Sequence, residues 1–440
     1  MLNEKFLLDN FHAEGNDFEG LKEIIQELKE VTKFKRCSSK DLALLSYLGY
    51  SKDLDKMYFF RNDPETIEFI KDYILEQLTL CGVSFEDIDF EESKQRFAES
   101  KKRMINSIRK QDILKKGDFE GLIDEVKNNK LMIFDGDNLT FTSEHFLATA
   151  ERFGLKGHFL TRPTINRDNA IERQLSDEFP CTLVVKEING IHKAFSLLSG
   201  KYKPIDQEVL FRVINALSKD ESLGEPVCKK WEVTNFMTSV YIEFPKKADE
   251  IQSFYKFPEK LIPGLWLATS DTGHCSLKVR GTWRKGSATT FEKEILKKHM
   301  GEIDISKIVK EVEETIFAEY NKLPERLCEL MLCEVTDPDW DLSTEEGRYK
   351  NSERIKETVK SVFDQVDMLK VLGLKRKKML MNQYLDEFDP EMRYTAYDIA
   401  IGIMEFPNRV EVPNKDDFMK ACGSAPYANY EIEEETIALL

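Results

Sequence analysis

The sequence predicts an α+β protein: a central, mostly antiparallel sheet with packed helices, flanked by an amino-terminal helical module and by carboxy-terminal helices. Three observations carry this. Asn189-Gly190 stands between two β-prone runs, TLVVKE and HKAFSLLS, which is a strong short-range hairpin signal. Three further strand-like runs, NFMTSVYIEF, LWLATS and CSLKVRGTW, follow within residues 235–283. Helical spacing of apolar residues dominates both ends of the chain. The expected divisions are 1–118 for the helical module, 119–302 for the sheet domain and 303–440 for the helical region with an acidic tail.

Taken in order, FEGLKEIIQELKEV and DPETIEFIKDYILEQL repeat apolar positions three and four apart, and Asp63-Pro64-Glu65 reads as an N-cap with proline in the first turn. Residues 94–116 read as a charged helix, nine bases against two acids, with Met104, Ile105 and Ile108 as a narrow apolar stripe. LMIF and LTF around Asp135-Gly136-Asp137-Asn138 predict a hairpin, and Ser143 is placed to cap a helix that stops at Gly154. After the Asn-Gly hairpin, Asp206 is placed to cap a helix whose Val209, Leu210, Val213, Ile214 and Leu217 share one face. Ile305, Ile308, Val309, Val312, Ile316 and Tyr320 form a helical stripe, which Pro324 is expected to break or kink. Residues 352–373 and 390–406 predict two more helices, and EIEEETIALL an acidic tail.

The 440 residues carry 64 Lys and Arg against 80 Asp and Glu, a net charge of −16, which excludes a protein that coats duplex DNA over its whole surface. No uncharged run exceeds ten residues, short of the roughly 20 apolar residues a membrane-spanning helix needs. The opening MLNEKFLLDNFHAEGNDFEG mixes acids into every turn and predicts no signal peptide, hence a cytoplasmic protein. Eight cysteines are scattered with no CxxC pair, so reduced thiols are expected, with no metal site and no cofactor. GxxxxGK[ST], GxGxxG and GxSxG are absent, and no catalytic residue is assigned.

The remaining signal is charge interleaved with an aromatic. Residues 271–300 hold seven bases and three acids, with Trp283 among them. Lys278, Arg280, Trp283, Arg284, Lys285, Lys297 and Lys298 are the candidate nucleic-acid contacts, because single strands are held by bases stacked on rings and phosphates held by cations. A solvated strand with a buried Trp is the plain alternative. The 94–116 helix and Lys375-Arg376-Lys377-Lys378 are weaker basic runs of the same kind.

Three segments resemble a phage and plasmid protein family known as domain of unknown function 932. In 191–217 the match is carried by Ser199, Tyr202, Pro204, Ile205 and Asp206, and in 263–279 by Gly264, Ser270 and Gly273, with Asp271 where the family has Glu and Thr269 where it has Asn. Thr395, Tyr397, Glu405, Phe406 and Arg409 resemble the family's carboxy-terminal helix, Gly402 standing for an Asn. The likeness spans about 130–410 in one order. It implies a mobile-element origin, the cytoplasm of a bacterial host, and an accessory role in DNA metabolism or recombination. Read physically, Asp206 and Pro204 shape a strand-to-helix junction, and Ser270, Asp271 and Gly273 a hairpin turn.

The functional expectation is therefore a non-enzymatic protein that binds, and by extension anneals, single-stranded nucleic acid on its central sheet, and that self-assembles through its helical ends. The alternative is a virion component or an inhibitor of host defence acting through protein contacts, which the acidic charge favours. Other phage or host proteins are then the partners, and no membrane is involved.

Overall fold

The computed structural model describes residues 4–51, 56–61, 105–109, 132–135, 138–143, 146, 178–286, 288–298, 304–366, 368–413 and 415–430. Two sheets organise these residues. The first is a six-stranded antiparallel sheet made of β1 (His12–Gly15), β10 (Val227–Thr234), β11 (Thr238–Glu243), β12 (Leu261–Thr269), β13 (Leu277–Lys285) and β14 (Ala288–Lys297), in that spatial order. The second has eight strands: β2 (Thr32–Ser38), β8 (Pro180–Ile188), β9 (Ile191–Ser199), β7 (Asn138–Thr142), β6 (Met132–Asp135), β3 (Leu42–Ser51), β4 (Lys56–Arg61) and β5 (Ile105–Arg109), in that spatial order. It is antiparallel except where β7 lies parallel to β9. The mostly antiparallel α+β class stands.

Local sequence explains the turns. Asn189 and Gly190 sit at φ 53° and 83°, the left-handed pair a two-residue primed turn requires, and they close β8 onto β9. Asp135 faces Asn138 where β6 turns into β7. Helix α1 (Phe18–Val31) starts where Asp17 accepts the Gly20 N–H at 2.6 Å, and it buries Leu21, Ile24, Ile25, Leu28 and Val31. Helix α2 (Val209–Leu217) buries the five residues the spacing selects. The Asp206 cap falls one turn ahead of α2, accepting the Glu208 N–H at 3.0 Å and leaving Glu208 at the cap position.

Helices α3 (Pro245–Tyr255), α4 (Ile305–Val312) and α5 (Glu319–Met331) come next. They are followed by α6 (Glu345–Gln365), α7 (Met368–Leu372), α8 (Leu374–Leu385), α9 (Ala396–Glu405) and α10 (Lys415–Gly423). The largest core joins one face of the six-stranded sheet to these helices. Trp231, Val233, Val240, Ile242, Leu265, Leu267, Leu277, Val279, Trp283 and Ile295 meet Ile308, Val312, Ile316 and Tyr320 in it. A smaller core, with Leu42, Ile133, Leu183, Val185 and Ala194, lies on the eight-stranded sheet. No helix among the described residues is long and apolar enough to cross a membrane.

Several expectations need correction. The helical module expected over 1–118 contributes one α-helix and five strands among its described residues, and β1 and β2 pair with β10 and β8 of the middle region. The aromatic residues of LALLSYLGYS and KMYFFR (Tyr47, Tyr50, Tyr58, Phe59 and Phe60) favour strand there. The basic helix over 94–116 is overturned at 105–109, which is strand β5 beside β4. Pro324 does not break the chain: it is buried inside α5, and a wide π turn at Glu313–Phe317 sits just upstream. β10 and β14 were not foreseen. The Asp63 cap and the acidic tail lie outside the described residues, as does the helix expected to run from Ser143 to Gly154 beyond Phe146.

Cys37 and Cys181 are direct cross-strand partners with sulfurs 3.5 Å apart and no disulfide between them. Directly opposed strand positions place Cα atoms within the range a disulfide tolerates. One equivalent of hydrogen peroxide is expected to convert the two thiols to a disulfide with release of two waters. Mass spectrometry of the Cys37–Cys181 peptide pair checks it, and Cys37→Ser should block the cross-link.

Candidate nucleic-acid interface and the junction of the two sheets

Five of the seven predicted contacts fall on both sides of β13, while Lys297 ends β14 and Lys298 follows it. Period two along β13 sends Leu277, Val279 and Trp283 to the helix-covered core and Lys278, Arg280, Thr282 and Arg284 to the opposite face. Trp283 is therefore a core residue, 2% exposed, its ring edge-to-face with Tyr320 at 5.3 Å. It cannot stack a base, and the proposed basic face loses its aromatic.

The cations are mostly engaged. Arg280 pairs with Glu294 across to β14, and its guanidinium lies 4.8 Å over the Trp266 ring. Arg284 grips the buried Glu243 with two nitrogens, and both hydrogen bonds hold that carboxyl below its usual range against the opposing cost of burial. Lys285 turns to the core side and pairs with Glu405 at 3.1 Å and Glu259 at 3.5 Å, while Lys297 pairs with Glu311. Lys278 is half-buried and Lys298 exposed. In the other basic run, Lys377 is buried and pairs with Asp364.

Trp266 and Tyr241 are cross-strand partners on the face opposite the core. Cross-strand register lines up Lys230, Tyr241, Trp266, Arg280 and Glu294 on four adjacent pairings, with Glu14, Glu232, Ser239, Ala268 and Lys278 in the neighbouring row. Tyr241 and Trp266 are half-buried. Burial, with the Glu243 charge next, raises the Tyr241 phenol far above its ordinary value, so it remains a neutral hydrogen-bonding ring. Gly264 lies against the Tyr241 ring and admits no side chain, since a Cβ there would meet the Ile242 carbonyl oxygen at 2.4 Å and the ring at 3.1 Å. At the sheet edge His12, Glu14 and Glu232 offer three ligand atoms within 4.8 Å of one another. Lys230 already bridges both carboxylates, at 3.2 and 2.5 Å.

Residues 196–207 and the 270–273 turn meet at the junction of the two sheets. The Tyr202 hydroxyl donates to the Ser270 and Asp271 carbonyls, at 3.0 and 3.2 Å. The Gln207 amide donates to Asp271 Oδ2 and accepts from the Thr238 hydroxyl at 2.7 Å. Ser196 donates to the Thr272 carbonyl at 2.9 Å, and the Ser270 hydroxyl accepts the His274 N–H at 3.1 Å. Gly273 takes φ 74°, the positive value expected of it, and Ser199 accepts the Tyr202 N–H at 2.9 Å. These residues thus join a turn of one sheet to the strand-to-helix corner of the other.

Two lysines are buried at that junction, which sequence reasoning missed. Lys186 and Lys193 are cross-strand partners on β8 and β9, 3% and 2% exposed. Lys186 donates to Asn235 Oδ1 at 2.5 Å and lies 4.5 Å over Phe195, and Lys193 faces Asp9 at 3.5 Å. Burial lowers Lys186 to about 7 and raises Asp271 to about 6. The sequence signal was the pair of lysines flanking the Asn-Gly turn inside otherwise apolar strands.

Set against family models, characterised proteins and solved structures, the chain matches none.

Proposed function

We propose that the protein binds single-stranded nucleic acid on the face of the six-stranded sheet that carries Tyr241 and Trp266. The cross-strand row Lys230–Tyr241–Trp266–Arg280 carries this reading. It sets two adjacent rings between cations on a face opposite the core, and Glu294 fixes the guanidinium over the indole. Rings of this kind stack bases of any sequence, and cations beside them meet phosphates. Lys278 and Arg284 extend the cationic edge, whereas Trp283, Lys285 and Lys297 take no part. The likeness to a phage and plasmid family agrees with a role in the DNA metabolism of a mobile element within a bacterial host.

Fluorescence anisotropy of a labelled single-stranded oligonucleotide, titrated at low and physiological salt, tests this. Affinity is expected to fall as salt rises, because phosphate contacts release counterions. Trp266→Ala should weaken binding by roughly 1 to 3 kcal/mol per stacked base, and Lys278→Ala should flatten the salt slope by about 0.7. Absence of binding at low salt, or a folded Trp266→Ala protein that binds as the parent does, would reject the face. The acidic surface would then point to protein partners, in a virion or against a host defence.

A further inference from the structure

At the sheet junction a cavity of about 290 Å³ is lined by Ile25, Thr32, Phe34, Pro204, Ile205 and Asp271, with Lys29, Asp206 and Gln207 completing it. We propose that this cavity binds a small organic cation, an amine, amidine or guanidinium on an apolar body, with Asp271 as its counter-ion. The size sits at the lower end of the range for small-molecule sites. Its walls are apolar, and the Phe34 ring adds a surface on which a cation is attracted.

The polar lining atoms decide the charge of the ligand. Gln207 is spent on both ends, giving its N–H to Asp271 and accepting from Thr238. Asp206 is spent on Lys29 at 2.9 Å and on the Glu208 N–H at 3.0 Å. Lys29, the one lysine in the lining, is held at the rim by Asp206 and Glu208, each at 2.9 Å, and does not reach Asp271. Two groups remain. Asp271 makes no ion pair among the described residues; Lys186 donates to Asn235 and acts on Asp271 only through its charge at longer range. Thr32 is 8% exposed and its hydroxyl has no hydrogen-bond partner among the described residues.

A carboxylate and a hydroxyl against apolar walls suit a donor-bearing cation. The same carboxylate repels an anion, and two oxygens are too few for a calcium or magnesium ion, which takes six or more. Burial and the Asp206 charge hold Asp271 near 6, against the opposing pull of Lys186 and the Gln207 hydrogen bond, so the Asp271 carboxyl is mostly ionised at pH 7.5 and mostly protonated at pH 5, where Lys186 carries its proton too. The charged groups around it are Lys29, Lys186, Asp206 and Glu208.

Isothermal titration of the full chain with benzamidine, and with benzamide as its uncharged isostere, tests the assignment. Benzamidine is expected to bind one to one and at least tenfold more tightly than benzamide, and to weaken about tenfold between pH 7.5 and pH 5. Asp271→Asn should remove the preference for the amidine, and Thr32→Val should weaken binding several-fold. Equal affinity for the two probes, or none for benzamidine at pH 7.5, overturns the proposal. The pH comparison uses the unaltered protein, so pH-independent binding overturns it even where Asp271→Asn fails to fold.

Discussion

Raising the pH from 7 to 9 is expected to stabilise the folded protein by up to about 1.4 kcal/mol per pH unit, and Lys186→Met is expected to flatten that rise. Burial holds the Lys186 ammonium down to about 7, while in the unfolded chain it stays protonated to about pH 10. Between those values the unfolded state binds the extra proton, so stability rises with pH. Asp271 runs the other way. Its folded value of about 6 lies above the unfolded one, so its contribution is full below about pH 4 and is lost as pH climbs through 6. Urea melts of parent and variant at several pH values separate the two windows. Parallel curves for parent and variant from pH 7 to 9 would show that Lys186 is not the group that titrates.

Trp283→Ala is expected to cost about 3 to 5 kcal/mol of stability, because it empties a large, fully packed site. The indole is 2% exposed and meets Tyr320 edge-on, and Gly281 beside it already lies against Ile316. Trp266, half-buried on the other face, should cost much less when truncated. Thermal melts of the two alanine variants make the comparison. It also guards the binding assay, since lost oligonucleotide binding in Trp283→Ala would report lost structure. A Trp283→Ala protein as stable as Trp266→Ala would contradict the placement of the two rings.

Much of the architecture was legible because it is written locally. The Asn189-Gly190 turn, the pairing of β6 with β7, the α2 face and the strands around 240, 265 and 280 follow from turn chemistry and period alone. The side of β13 on which Trp283 lies was legible too: it shares parity with Leu277 and Val279, not with Lys278 and Arg280. The pairing of the cations was not legible, since Glu243, Glu294, Glu311 and Glu405 come from other elements and only the register brings them within reach. The same holds for the junction, where β8, β9, the 270–273 turn and the 202–207 corner each look structural in isolation. The strands before residue 118 were not legible because their sequences, the ten-residue β3 among them, lack the strict apolar-polar alternation that separates strand from helix.

Helix α1 is the short bridge between the edge of one sheet and the edge of the other: β1 precedes it and borders the six-stranded sheet, β2 follows it and borders the eight-stranded one. Their partners, β10 and β8, lie far along the chain, with Thr32 opposite Lys186 and His12 opposite Thr234. Folding thus has a built-in order. Neither edge can zip until a long stretch of chain has closed into a loop, and until then β8 and β10 present open hydrogen-bonding rims to any other copy. Removing residues 1–38 would make that waiting state permanent, leaving two sticky rims on each molecule and a route to chain-to-chain growth.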